Sequence, residues 1–193
     1  MISSKAEYKA YVLADKKALN IGNGRFTWIK QMIAPDYIWK FQKRLRKLEY
    51  YKNCRKDIIG KIYYNLLKLR HRKLALKLGF SIPENVFGPG LSIAHHGTIV
   101  VNSKAKVGKN CRIHVCTNIG ASGGSHKAPQ IGDNVYIAPG VKIFGDIEIG
   151  NNIAIAANSS VGKSFMEENI LIAGSPAKKI KEVEIKKLIP HAD

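Results

Sequence analysis

Aliphatic residues recur every six positions through the second half of the chain, at Val101, Val107, Ile113 and Ile119, then at Ile131, Ile137, Ile143, Ile149, Ile155 and Val161. The step from Ile119 to Ile131 is two periods, so a Gly-rich excursion between them leaves the register unbroken. An α-helix needs apolar spacing near 3.6 and a half-buried strand needs 2, so neither accounts for the pattern. Hexapeptide repeats predict a parallel β-helix: each unit supplies a short strand and a turn, three units close a triangular coil, and stacked coils bury the aliphatics. Positions four after each aliphatic should also point inward, at Ala105, Cys111, Thr117, Val135, Val141, Ile147, Ile153 and Ser159. Gly132-Asp133-Asn134 and Gly150-Asn151-Asn152 suit tight corners, because Gly and Asn tolerate positive φ. The beat opens with Phe87, Ile93 and Ile99, slips by two residues between Ile99 and Val107, and stops after Val161.

The first part of the chain follows a helical period. Ser3 to Asn20 predicts a short helix ending near the turn signal Gly22-Asn23-Gly24. After Asp36, an N-cap candidate, Ile38, Phe41, Leu45 and Leu48 are spaced for an amphipathic helix. A second runs from about Asp57 to Leu78, with Ile58, Ile62, Leu66 and Leu69 at helical spacing, basic residues around them and Gly79 as a stop. At the far end a Gly174-Ser175-Pro176 turn precedes an expected short helix from about Ala177 that caps the last coil. The expected organisation is a basic α-helical N-terminal domain at 1–80, a β-helix at 81–166 and a C-terminal cap at 167–193.

The formal net charge is +18, and it is uneven: residues 1–80 hold 20 Lys+Arg against 5 Asp+Glu, and residues 81–193 hold 12 against 9. Such a block could meet nucleic acid, anionic lipid or a phosphorylated substrate, or simply be a solvated helical face. Three cysteines at unrelated spacing argue against a disulfide framework or a zinc site, so a reducing cytoplasm is expected and no metal. Met1 to Tyr11 does not read as a signal peptide, and no apolar run approaches the roughly 18 residues of a spanning helix.

Several separated motifs carry a family resemblance. The stretch Leu91-Ser92-Ile93-Ala94-His95-His96-Gly97-Thr98-Ile99-Val100-Val101, the Gly-rich segment from Gly120 to Pro129, the unit Ile131-Gly132-Asp133-Asn134-Val135-Tyr136-Ile137 and the terminal Ala173-Gly174-Ser175-Pro176-Ala177 resemble the serine acetyltransferase family of hexapeptide-repeat acyltransferases. The first stretch is also similar to members associated with polysaccharide biosynthesis. The resemblance covers roughly residues 80–182. It implies a left-handed β-helix, a homotrimer with active sites in grooves between subunits, acetyl-CoA as cosubstrate and a histidine general base that falls on His95.

Imidazole suits that task because its unperturbed pKa of about 6.5 lies near neutrality. His114 falls close to His95 one coil on and is a second catalytic candidate; His96, His126 and Lys127 are acceptor-binding candidates. For the cofactor the resemblance points to Gly120, Ala121, Ala138, Ala156 and Ala157, where small residues admit a pantetheine arm, and to Lys163, Lys178 and Lys179 for its phosphates. The chain departs from the serine-specific pattern. Lys127-Ala128 stands where that family has Arg-His before proline, Ala94 replaces the aspartate preceding the catalytic histidine, and Phe80 replaces an upstream aspartate. His95 therefore needs another orienting group, such as Glu84, a backbone carbonyl or a neighbouring subunit. The expected activity is O-acetylation of L-serine, with a sugar or polysaccharide precursor as the alternative acceptor and the basic helices resting on the inner face of a membrane. A rival reading is a non-catalytic β-helix scaffold whose basic domain binds nucleic acid or membrane.

Overall fold

The computed structural model describes residues 1–22, 24 and 32–192, and among the described residues three bounded helices lead into the coil; Asn23 of the expected turn lies outside the described residues. Helices α1 (Lys5–Ala18), α2 (Tyr37–Cys54) and α3 (Ile58–Leu78) each start at a side-chain cap, the oxygens of Ser4, Asp36 and Asp57 accepting from Glu7, Trp39 and Gly60 N–H. Gly79 ends α3 in the left-handed region at φ 78°, a conformation that a Cβ disfavours. Helix α2 buries Phe41, Leu45 and Leu48, the stripe its spacing predicts.

Helix α3 does not behave as its most regular stripe suggests. Leu67, His71, Leu74 and Leu78 face inward, while Ile58, Ile62, Leu66 and Leu69 are each more than half exposed. Two apolar stripes compete on this helix, and packing against α2 and the first coil selects the one with fewer aliphatics.

The coil is built from β1 (Phe80–Ser81), β2 (Ser92–Ile93), β3 (Ile99–Val101), β4 (Lys106–Val107), β5 (Arg112–Ile113), β6 (Thr117–Gly120), β7 (Gln130–Ile131), β8 (Tyr136–Ile137), β9 (Lys142–Phe144), β10 (Glu148–Ile149), β11 (Ala154–Ile155), β12 (Ser160–Val161), β13 (Ile170–Gly174) and β14 (Ala177–Glu182). They form three sheets, ordered β1-β3-β6-β9-β12, β10-β7-β4 and β14-β13-β11-β8-β5-β2, parallel throughout except for β13 with β14. This is the left-handed β-helix. Every aliphatic of the six-residue beat is at most 5% exposed, and all eight positions four residues on are buried. Cys111 is one of them, and burial pushes its thiol up to about 12, which makes it an inert core residue.

Register corrects the position of the slip. Ile93 pairs with Ile113 and Val101 with Ile119, so Val101 rather than Ile99 holds the repeat position and the two extra residues lie between Ile93 and Val101. Ala94 N–H donates to Ile113 O, and a Cβ on Gly97 would meet Val115, so the surplus pair is His95-His96. The coil also continues past Val161. Phe165 bridges to Ile149 and Ile172 pairs with Ile155, at spacings too irregular to read as a beat.

The expected helix from Ala177 is instead strand β14, turned back antiparallel on β13, because the last parallel strand leaves an open edge that a returning strand can pair. A single 3-10 turn at Ile185–Lys187 follows, and Ile185, Ile189 and Ala192 pack on Ala154.

Corners are stacked as closely as faces. A Cβ on Gly88, Gly108 or Gly132 would lie 2.7, 2.7 and 2.9 Å from backbone carbon of Gly108, Gly132 and Gly150 in the next coil, a column that admits no side chain. Beside it, Asn110 donates to Asn134 and Asn134 to Asn152, both at 2.9 Å, with all three near φ +56°.

The first coil has an open edge of its own, and buried polar side chains of α1 and α2 close it. Gln42 donates to Leu91 O at 2.7 Å and accepts from Ile93 N–H at 3.2 Å, standing in for a missing strand. Asp15 accepts from the N–H groups of Gly90 and Leu91, and Arg46 donates to the carbonyls of Phe87 and Gly88. Arg46 is itself held by Asp15 and Glu49, all three side chains being at most 2% exposed.

Candidate active site

The two-residue bulge between β2 and β3 pushes His95 and His96 out of the coil wall, and both are exposed. Beneath it runs a column of residues set by the β2-β5-β8-β11-β13 register: Ala94, His114, Ala138, Ala156 and Ala173 each come next after the last residue paired in that register. His114 is the one bulky side chain among alanines. Its ring lies 6.0 Å from that of His95 and 5.2 Å from that of Tyr136, centroid to centroid. It is 8% exposed, and its Nε2 has no hydrogen-bond partner among the described residues. Burial, with smaller contributions from the Arg112 and His95 charges, lowers its pKa, so it stands beside His95 as a neutral imidazole.

Glu84, the carboxylate expected to orient His95, is committed elsewhere. It accepts from Lys52 and from the Tyr64 hydroxyl, each at 3.2 Å.

The remaining candidates divide by position. Ala138 and Ala156 share the His114 column, with Ala157 next in the chain. Gly120 and Ala121 sit at the other end of β6, where the excursion carrying His126 and Lys127 leaves the wall, and Lys163 follows β12 at that same edge. Within one protomer, the sheet β1-β3-β6-β9-β12 thus separates His95 from the acceptor-loop candidates. His126 is exposed, and Lys127 pairs with Asp146 at 2.7 Å. Lys178 and Lys179 lie exposed on β14, and Lys179 is bonded to Glu167. Tyr136 and Arg112, which border His114, were not legible in the sequence, because positions pointing out of a coil carry no period.

An exposed imidazole at the head of a column of small residues can take a proton from a hydroxyl presented across it. The alanines leave room for a narrow chain to lie against the backbone.

No protein-family model matches the chain. A serine acetyltransferase of Staphylococcus aureus is 33% identical over 113 residues, which is 56% of this chain and 53% of that protein. One of Staphylococcus xylosus is 31% identical over 129 residues, 65% of this chain and 59% of that protein. The chain thus spans about half the length of the curated relatives it matches. In structure it is similar to a serine acetyltransferase of Brucella abortus at TM-score 0.70 and 26% identity, covering 93% of this chain and 71% of that one. The same Brucella abortus enzyme in complex with coenzyme A matches at TM-score 0.70, again with 26% identity and covering 93% and 70%. The soybean apoenzyme, at TM-score 0.72 and 22% identity over 92% and 71%, shares the fold.

Proposed function

We propose that the chain is an acetyl-CoA-dependent O-acetyltransferase of the serine acetyltransferase kind, with His95 as general base and L-serine as first acceptor. The observation that carries the reading is the exposed His95 ring on its two-residue bulge, set over His114 and the alanine column. Likeness in sequence and fold to serine acetyltransferases, one of them with coenzyme A bound, supports it. Acetyl-CoA supplies the acetyl group as a thioester. His95 takes the acceptor's hydroxyl proton as that oxygen attacks the thioester carbon, backbone N–H groups offset the charge on the carbonyl oxygen, and as the adduct collapses the C–S bond breaks and CoA leaves as the thiol with the proton that His95 returns. Ala138, Ala156 and Ala157 leave the coil wall low enough for a pantetheine arm, and Lys163, Lys178 and Lys179 can meet its phosphates.

His114, its ring 6.0 Å from that of His95 and its Nε2 unpartnered among the described residues, is the second catalytic candidate of the proposal. A homotrimer completes the proposal, since a neighbouring protomer can bring its Gly120 edge, with Ala121, His126 and Lys127, against this protomer's His95 edge. The proposed division keeps the helical domain at 1–80, and the β-helix that begins at 81 runs on through β13 before the cap that β14 opens.

A sugar hydroxyl is the second reading, and one observation favours it: the only cation of the acceptor loop, Lys127, is already paired with Asp146. Lysine also lacks the bidentate fork with which arginine grips a carboxylate. Release of free CoA from acetyl-CoA, measured with L-serine and a panel of sugars side by side, tests both. Turnover with serine alone establishes the first reading, turnover with a sugar alone the second, and none with any acceptor rejects the activity.

A further inference from the structure

The outer face of α3 serves neither the core nor the site. Ile58, Ile59, Ile62, Leu66, Leu69 and Leu76 are all more than half exposed, on the side of the helix roughly opposite Leu67, Leu74 and Leu78. From Ile58 to Leu76 this stripe runs about 27 Å at 1.5 Å per residue. Lys61, Lys68 and Arg72 border it on one side and Arg70 and Lys77 on the other, with Lys73 near its end, and no acidic residue occurs between Asp57 and Glu84. None of these six cations forms an ion pair among the described residues. No helix among the described residues is long and apolar enough to cross a membrane.

We propose that α3 is an interfacial helix that seats this face on an anionic lipid bilayer, the aliphatic stripe entering the headgroup boundary and the flanking cations meeting lipid phosphates and carboxylates. The combination selects the partner. A nucleic acid would engage the cations but leave the aliphatics in water. A second copy packed face to face would bury the aliphatics but oppose six cations with six cations, a repulsion with no carboxylate on the helix to relieve it. An anionic interface satisfies both. The opposite face of α3 is already packed on α2 and the first coil, so the helix can lie flat while the β-helix stays in water.

Co-sedimentation of the full chain with two vesicle preparations tests this: phosphatidylcholine alone, and phosphatidylcholine with roughly 30% phosphatidylserine. The protein is expected to pellet with the second and not the first, and to be released as salt rises. Lys68→Ser with Arg72→Ser should weaken binding roughly 25-fold, at about fivefold per cation near a charged surface. Ile62→Ser with Leu66→Ser should weaken it at least about tenfold, with melting unchanged because both side chains are exposed. Absence of pelleting at low salt overturns the proposal, as does binding indifferent to the Ile62/Leu66 pair, which would mark a surface acting by charge alone. Light scattering that shows the wild-type assembly falling apart on that double substitution would assign the stripe to a second copy and likewise overturn it.

Discussion

Replacing Arg46 by alanine probes how the helices hold the coil. The guanidinium is fully buried and donates to Asp15 at 2.8 and 3.2 Å, to Glu49 at 3.0 Å, and to the carbonyls of Phe87 and Gly88 at 2.8 and 2.6 Å. Its removal leaves two buried carboxylates without a counter-charge, which costs about 3–5 kcal/mol. Two carbonyls of the first coil also lose a donor, at about 1 kcal/mol each. Substitutions in one network do not add fully, so about 5 kcal/mol is the expected loss. For a chain of this length that corresponds to a melting midpoint lower by about 10–20 °C. Urea unfolding at one fixed protein concentration measures the first figure and calorimetry the second. Asp15→Asn keeps an oxygen for the Gly90 and Leu91 N–H groups, and Arg46→Ala should cost less in that background, since one of the stranded charges is gone. Hydrogen exchange should localise the loss to the amides of Leu91 and Ile93. A cost under about 1 kcal/mol, or the same cost in both backgrounds, would refute the reasoning that the charge network clamps the edge.

His95→Ala should lower CoA release at least about 100-fold with acetyl-CoA and the active acceptor, while leaving the melting midpoint in place because the side chain is exposed. Asn134→Ala removes two rungs of the corner ladder and puts a Cβ residue without side-chain support at φ 56°, for a loss of about 2–3 kcal/mol in urea unfolding. Asn134→Gly should cost less, since it keeps the backbone free. His71, stacked on Phe41, has a pKa pushed down to about 4 by burial. The unfolded imidazole takes up its proton near pH 6.5 and the folded one does not, so this stabilisation is fully present above pH 6.5 and is lost as pH falls toward 4. The loss amounts to about 3 kcal/mol at most. His71→Leu should remove that part of the pH dependence, read from urea unfolding at pH 7 and pH 4.5. Lys127→Ala should leave stability unchanged and, if serine is the acceptor, raise its KM with little change in kcat.

Much of this structure is legible along the chain because coil geometry is local and repetitive. Each six-residue unit repeats one inward position, so Val107 through Val161 report the wall directly, and the corner asparagines report positive φ at Asn134 and Asn152. His95 was legible as the candidate base through its flanking motif. What was misread depended on partners distant in sequence. Ile99 and Val101 are both inward and apolar, and only pairing with Thr117 and Ile119 says which one holds the repeat and hence that the surplus residues are the histidines themselves. Ala177 to Glu182 has the composition of a helix, but the open edge of β13 turns it into a strand.

By itself, then, the sequence determined that the chain coils and which residues line most of its interior, since a period needs no long-range information to be read. Tertiary structure decided how the coil is closed and what is left outside it. Asp15, Gln42, Arg46 and Glu49 look like ordinary surface residues of amphipathic helices until they meet unpaired backbone groups at the first coil's edge, where burial makes each hydrogen bond obligatory. The same docking turns the Leu67 side of α3 inward and leaves its more regular aliphatic stripe facing out, because a helix with two apolar faces can bury only the one that its neighbours fit.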